Sequence, residues 1–137
     1  MRKIETKLTD IVLKCLHGMC SKSFDIQLSK RDRIRYRKDD GIVEVFLWNS
    51  LIAMFSVPPD GCSMASGSIS HCGYQTATTK SRLNAILKAF HGGRVSLFQK
   101  DFVWHCDVPT ALDGKGSTVE FDRMITTTGR YVFPIHL

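Results

Sequence analysis

Four arginines stand at every second position between residues 31 and 37. The segment reads Arg31, Asp32, Arg33, Ile34, Arg35, Tyr36 and Arg37. An α-helix would scatter these arginines around its circumference, whereas a β-strand places alternate residues on one face. The spacing therefore predicts a strand with one basic face. Guanidinium groups in such a row are suited to binding anionic oxygens such as those of phosphates.

A second β-patterned run, residues 42–48, follows this strand after Asp40-Gly41, a dipeptide that favours a tight hairpin turn. A two-residue turn predicts three pairs on the basic face: Arg37 with Glu44, Arg35 with Phe46, and Arg33 with Trp48. That face would interleave arginines with two aromatic rings, and the opposite face would join the core. A three-residue turn would instead place both rings on the core face.

A basic face that also carries aromatic rings is suited to a single-stranded nucleic acid. Arginines two apart on a strand are about 6.6–7 Å apart, which is closer to the phosphate spacing of a stretched single strand than to the ~3.4 Å rise along one strand of a duplex. Exposed rings can stack on unpaired bases, at about 1–3 kcal/mol per base, whereas a duplex offers no free base face. Two other interpretations stay open: arginines that merely cover the rings on a solvated face, and a protein-binding surface.

The start of a second predicted helix, residues 76–82, gathers threonine hydroxyls, Lys80 and Arg82 at a helix N-terminus, where a phosphate could bind. Threonine capping beside two solvated basic side chains is the alternative. Tyr74 precedes this helix and could stack on a base or fill the core. The predicted nucleic-acid-binding residues are Lys30, Arg31, Arg33, Arg35, Arg37, Lys38, Phe46, Trp48, Lys80 and Arg82.

Other side chains that could do chemistry lack the spacing that the chemistry requires. Three Cys/His groups occur: Cys15, His17 and Cys20; His71 and Cys72; and His105 and Cys106. None has the paired, regular spacing of a structural zinc site, and the acidic residues are not clustered as in a two-metal nuclease. The sequence therefore predicts no metal, no cofactor and no enzymatic activity. The five cysteines form no CxxC motif and are expected to be free thiols in a reducing compartment.

The chain that must position these residues has 137 residues, a net charge of +6 and 43% apolar residues, which suits one globular domain with a core. Apolar periodicity predicts an N-terminal helical segment within 1–23, a β-rich core over 24–128 with a helix at 79–91, and a tail at 129–137 that docks on the body or on another subunit. The small-residue run at 62–70 is expected to be an edge strand. The predicted class is α+β, a single domain of antiparallel hairpins with an N-terminal and a central helix.

A pattern that begins in the run at 42–48 resembles one in small proteins of tailed phages. There, a strand with a late Asn is followed by Gly-aromatic-x-Thr-x-Thr-Thr-Lys-x-Arg-Leu-Asn at a helix start. The matching residues here are Asn49, Gly73, Tyr74, Thr76, Thr78, Thr79, Lys80, Arg82, Leu83 and Asn84. The resemblance covers roughly residues 42–128 and departs at Cys72, where a second glycine is usual. The predicted N-terminal helix and the arginine strand lie ahead of this shared part.

Size, charge and this core together also resemble a small early protein of schitoviruses, the podoviruses related to the enquatro-type coliphage. Some such proteins bind single-stranded DNA and act as cofactors of the phage RNA polymerase, so the resemblance implies such a role in the host cytoplasm. No apolar run approaches the ~20 residues of a membrane span. The resulting hypothesis is a non-enzymatic protein that binds single-stranded DNA, supports phage transcription, forms homo-oligomers and contacts no membrane. The alternative is a host-takeover protein that binds and inhibits a bacterial protein.

Overall fold

The computed structural model describes residues 2–57, 65–91, 95–109, 116–125 and 129–135. Within these ranges the helices are α1 (Lys3–Leu16) and α2 (Ala77–Phe90). The strands are β1 (Phe24–Gln27), β2 (Asp32–Arg37), β3 (Ile42–Leu47), β4 (Ser50–Ser56), β5 (Ser66–Ile69), β6 (Ser96–Lys100), β7 (Val103–Pro109), β8 (Gly116–Glu120) and β9 (Tyr131–Pro134), and a 3-10 helix spans Phe121–Arg123. The predicted α+β class is confirmed. Neither described helix has the length and apolar character needed to cross a membrane.

The strands form two antiparallel sheets. The first has six strands in the order β1-β2-β3-β4-β5-β9, and the second has three in the order β6-β7-β8. Because β5 lies between β4 and β9, the prediction of an edge strand at 62–70 is wrong for its described part; residues 62–64 lie outside the described residues. The tail supplies β9, which pairs with β5 from Ser66↔Pro134 to Ile69↔Tyr131. The described part of the tail therefore docks on the body, while residues 136–137 lie outside the described ranges.

The small residues of β5 make room for the strands on either side. A Cβ atom at Gly67 would lie 2.9 Å from the ring of Phe133 in β9 and 3.2 Å from the ring of Phe55 in β4. Such distances are shorter than packed carbon atoms adopt, so glycine is what allows the two phenylalanines to approach β5 this closely. A strand of small residues is thus placed inside the sheet because its neighbours bring large side chains over it.

Both helices pack on one face of the six-stranded sheet, the core face. The ring of Phe90 in α2 meets that of Phe55 edge-on, with 5.0 Å between ring centroids. On its other side α2 holds the second sheet, because the Asn84 side-chain amide donates to the carbonyl of Leu97 at 2.9 Å and accepts from the Leu97 N–H at 2.7 Å. Helix α2 therefore lies between the two sheets, and its N-terminus meets the end of the sheet at which β2 begins.

The opposite face of the six-stranded sheet, the open face, carries the odd-numbered residues of β2. The strand register defines three cross-strand rows on this face. These rows are Gln27–Arg33–Phe46, Asp25–Arg35–Glu44–Met54–Ser68–Val132, and Arg37–Ile42–Ser56–Ser66–Pro134. The predicted strand with one basic face is confirmed for Arg33, Arg35 and Arg37, whereas Arg31 precedes β2.

Candidate nucleic-acid interface

The hairpin between β2 and β3 has a longer turn than predicted. Its pairs run from Arg37↔Ile42 through Arg35↔Glu44 to Arg33↔Phe46, so the predicted register is wrong by two positions. The turn comprises residues 38–41, and Gly41 adopts a positive φ of 65°. A Cβ on Gly41 would lie 2.4 Å from the carbonyl oxygen of Val57, so glycine is fixed against the end of β4 rather than at the tip of a tight turn. A shift of two positions leaves each side chain on its predicted face.

The ring of Phe46 is covered by two arginines. The Arg33 guanidinium carbon lies 4.2 Å from the Phe46 ring centroid, and that of Arg35 lies 5.3 Å away. Phe46 is only 8% exposed as a result. The cation–π interpretation left open by the sequence therefore describes this ring, and Phe46 can stack on a base only if the arginines move.

The strand arginines are also paired with carboxylates from three different parts of the hairpin region. Arg35 Nε lies 2.9 Å and Arg37 Nε 3.2 Å from Glu44 Oε1. Weaker pairs join Arg33 to Asp25 at 3.6 Å and Arg37 to Asp40 at 3.5 Å. The hydrogen bond and the attraction of Glu44 raise the pKa of Arg35. The three arginines of β2 are thus paired with three carboxylates, so their positive charge is locally balanced.

Arg82 lies in the interior and not at the surface. Its Nε donates to Asp32 Oδ1 at 2.7 Å and its Nη1 to Glu5 Oε2 at 2.8 Å, and all three side chains are nearly fully buried. Ser29 and Ser81 donate to the same two carboxylates, both at 2.6 Å. Burial opposes every charge in this cluster, but the hydrogen bonds and ion pairs outweigh it: the pKa values of Glu5 and Asp32 are lowered and that of Arg82 is raised. Arg82 thus joins α1, α2 and β2, and we remove it from the candidate interface.

The residues of the phage-like motif divide into two groups. Thr76 caps α2, accepting from the N–H of Thr79 at 3.1 Å, and Arg82 and Asn84 hold the neighbouring elements as described above. Tyr74, by contrast, is 62% exposed, and Lys80 is half-buried on the helix. The second group is free to contact a ligand.

An aromatic cleft lies at the end of the sheet where β3 passes into β4. Its volume is about 310 Å³, and its lining includes Leu47, Trp48, Ile52, Tyr74, Thr76 and Thr78. Trp48 and Tyr74 are each 62% exposed and come from two different elements, the β3–β4 turn and the loop before α2. Trp48 was predicted to lie within the strand, opposite Arg33; it lies instead beyond β3 in a two-residue turn with Asn49. The pairing of Trp48 with Tyr74 requires the fold and was missed from the sequence.

The turn that presents Trp48 has an unusual backbone. Trp48 and Asn49 have φ angles of 51° and 66°, the left-handed region that a tight hairpin turn of this type requires. Asparagine and glycine adopt this conformation readily, whereas for a bulky side chain it is costly, at about 1–2 kcal/mol. Strained backbone conformations cluster at functional sites, so the conformation of Trp48 is consistent with a binding role.

Basic residues surround the same end of the sheet. Arg31 lies beside the turn, because its carbonyl accepts the N–H of Trp48 at 2.9 Å. Lys30 and Arg31 are exposed, and Lys80 lies on the helix that forms one wall of the cleft. No carboxylate of the described residues is within ion-pair distance of these three side chains. Lys38 is at the other end of the hairpin, where its Nζ donates to the carbonyl of Ser21 at 2.8 Å.

His71 fixes the loop that carries Tyr74. Its Nε2 lies 3.0 Å from Asp122 Oδ1, and its Nδ1 accepts the N–H of Gly73 at 2.9 Å. Both ring nitrogens are therefore engaged in holding the loop. In the part of the chain that the structure describes, no three His, Cys, Asp or Glu side chains are close enough to hold a metal ion.

Comparison with known proteins places the chain in a phage family. The family model of the Kyanoviridae Gp96 protein matches residues 1–128, whereas no curated protein and no solved structure matches. The resemblance to tailed-phage proteins is thereby confirmed at the level of the family, and the shared part extends over α1 and the arginine strand, beyond the predicted 42–128. The match gives no support to the more specific resemblance to a schitovirus protein. The chain belongs to the Kyanoviridae Gp96 protein family of tailed phages.

Proposed function

We propose that this phage protein binds single-stranded DNA without catalysing a reaction. In this proposal an unpaired base stacks in the aromatic cleft and the phosphates follow the arginine strand. The observation that carries it is the pair of exposed rings, Trp48 and Tyr74, on one cleft beside unpaired Lys30 and Arg31. Stacking on such rings is available to unpaired bases and is closed to the bases of a duplex.

The arginine strand leads towards this cleft. Arg37, Arg35 and Arg33 succeed one another along β2. Arg31 directly precedes the strand, and its carbonyl accepts a hydrogen bond from the N–H of Trp48. The distance from Arg37 to Arg31 is about 20 Å at the rise of an extended strand, which suits about three nucleotides of a stretched single strand. The basic track and the stacking site therefore form a continuous surface.

The arginines differ in how readily a phosphate could bind them. Asp25 and Asp40, the partners of Arg33 and Arg37, have side chains that are 47% and 56% exposed, whereas the Glu44 side chain is only 6% exposed. Exposed ion pairs are weak and exchange partners easily, whereas a buried carboxylate keeps its partner. Glu44 holds both Arg35 and Arg37, at 2.9 and 3.2 Å, so we assign phosphate binding mainly to Arg31 and Arg33.

The proposal includes a role in phage transcription within the host cytoplasm, as a cofactor of the phage RNA polymerase. This part is supported only by the likeness in size and charge to the schitovirus proteins. We also propose that the protein forms homo-oligomers. One short row of arginines contacts few nucleotides, and several aligned rows would raise the avidity for a long strand.

Anisotropy of a labelled single strand of ~20 nucleotides, measured beside its duplex across a salt series, tests the proposal. We expect tighter binding to the single strand. The logarithm of the binding constant plotted against the logarithm of the salt concentration should have a slope near −2, for about three phosphate contacts at ~0.7 each. Equal affinity for the duplex would contradict the stacking role of the cleft. Absence of binding at low salt would contradict the proposal as a whole.

The alternative function, binding and inhibition of a bacterial protein, is favoured by one observation. The strand arginines are balanced by carboxylates, so their attraction for phosphates is weaker than that of an unpaired stripe, while exposed Trp48 and Tyr74 are typical anchors of protein interfaces. A pull-down from nuclease-treated host lysate distinguishes the two functions. A stoichiometric host protein that survives nuclease treatment would favour the alternative.

Removing one competing carboxylate should strengthen DNA binding. Asp25→Asn releases Arg33 from its ion pair, and we expect the affinity for the single strand to rise up to about fivefold, the range of a surface ion pair. Asp10→Asn on α1 is the matched control, because it changes the net charge equally at another exposed position. A gain in both variants would show a general charge effect; a gain in neither would show that Asp25 does not compete with DNA for Arg33.

A further inference from the structure

A fourth arginine lies on the open face, at the opposite side of the sheet from β2. Arg130 precedes β9, and its Nε donates to Ser68 Oγ at 2.8 Å while its Nη1 donates to the carbonyl of Leu51 at 2.8 Å. A longer contact of 3.4 Å joins Nη2 to the carbonyl of Ser68. Arg130 thus contacts both β4 and β5, and all of these partners are neutral.

The charge of Arg130 has no counter-ion among the described residues. No described carboxylate lies within 4 Å of its guanidinium, and the contacts above account for three of the five N–H groups that an arginine carries. Burial lowers the pKa of Arg130, and the Coulombic effect of Cys72 opposes this without reversing it. A cation partly removed from water without an opposite charge is destabilised, so an anion at this position would be stabilised.

The guanidinium borders a groove of about 150 Å³ on the open face. The groove is lined by Met54, Ser56, Ser66, Ser68 and Val132, which supply serine hydroxyls beside apolar side chains. Ser68 stands in the same cross-strand row as Arg35, three strands away. Three strand spacings amount to about 14 Å, which is about two phosphate spacings of a stretched single strand.

We infer that this groove is a phosphate-binding site in which Arg130 and the serine hydroxyls hold one phosphate group. We identify this phosphate as a backbone phosphate of the bound single strand, and this identification rests on the proposed function. In that case the bound strand turns away from the arginines of β2 and crosses the open face towards Arg130, so that this face binds DNA between β2 and β5.

The site itself is tested with inorganic phosphate at constant ionic strength. The Nε–H resonance of Arg130, identified by its loss in Arg130→Lys, is followed by NMR in the wild type and in two variants of the half-exposed Val132. Val132→Glu places a carboxylate in the groove as a competing partner, whereas Val132→Gln adds similar volume without charge. We expect a saturable shift in the wild type and in Val132→Gln, and its loss in Val132→Glu. No saturable shift in the wild type, or an equal shift in both variants, would overturn the site.

The origin of the phosphate is tested with the labelled single strand. Relative to Val132→Gln, Val132→Glu should reduce the magnitude of the slope of log binding constant against log salt concentration by about 0.7, the effect of one lost phosphate contact. Thr6→Glu, on the exposed surface of α1, controls for the added negative charge. An equal slope in both Val132 variants would overturn the assignment to DNA, while the phosphate titration would still decide the site. If the wild type binds no single strand, the proposed function fails and the titration again decides Arg130 separately.

Discussion

Replacing Arg82 with methionine is expected to lower the free energy of unfolding by about 3–5 kcal/mol at neutral pH, because it leaves two buried carboxylates without their cation. Arg82 is the one charged group described between Glu5 and Asp32, at 2.8 and 2.7 Å, and all three are nearly fully buried. Chemical denaturation followed by circular dichroism measures the loss. Lys88→Met is the matched control: it removes the same charge from an exposed position of α2, where a change within about 0.5 kcal/mol is expected.

The pH dependence identifies the cause of the loss. In the wild type the pKa values of Glu5 and Asp32 are lowered, so their stabilisation is fully present above the ordinary carboxyl values and is lost as the pH falls. Without Arg82 both carboxyls stay buried but lose their ion pair, so we expect the pKa of each to rise and protonation in acid to relieve the penalty. The difference between wild type and variant should therefore shrink from pH 7 towards pH 4. A difference that is constant with pH would mean that lost packing, and not unpaired charge, causes it.

Replacing Trp48 with asparagine is expected to weaken single-strand binding without destabilising the fold. Loss of one stacked base at about 1–3 kcal/mol corresponds to about a 5- to 150-fold lower affinity. Asparagine adopts the positive φ of 51° at this position more readily than tryptophan, so the melting temperature should stay equal or rise. Opposite changes in affinity and stability would mark a residue retained for binding.

Phe102→Asn is the matched control for this variant. Phe102 also has a positive φ, 63°, in a two-residue turn, and it is 91% exposed at the β6–β7 hairpin. The same substitution there should give the same gain in stability while leaving the affinity unchanged. Wild-type affinity in Trp48→Asn would remove the cleft from the proposed interface, and an equal loss in both variants would show that the effect is not specific to the cleft.

Local patterns in the sequence were sufficient for most elements and insufficient for their registers and partners. Period-two alternation predicted β2 and its basic face, and helical periodicity predicted α1 and α2. The turn was predicted wrongly because Gly41 packs against the backbone of Val57, which directly follows β4. The local Asp-Gly dipeptide carries no information about this contact. Likewise, the +5 charge over residues 30–38 was apparent in the sequence. The neutralisation of Arg33 was not, because its partner Asp25 comes from the separate strand β1.

The candidate site shows the same division. The basic motif at the start of α2 was recognised, but nothing in its spacing indicates that Arg82 turns inward while Lys80 stays near the surface. Arg82 is directed inward by partners that are 50 and 77 positions away in the chain. Trp48 and Tyr74 are brought together by the sheet end and the helix entry, so their cleft could be described only once both elements were placed.

The central position of β5 has a consequence for the order in which the molecule assembles. Strands β1 to β5 are neighbours both in sequence and in space, so each hairpin can form as soon as its residues are available. Strand β9 pairs with β5 across about sixty intervening residues, and such a distant pairing is slow because a long loop must close first. We therefore expect Phe133 to cover Gly67, and Arg130 to reach its groove, late in folding. On this expectation the arginine strand forms early, whereas the groove beside Arg130 is completed only when β9 pairs.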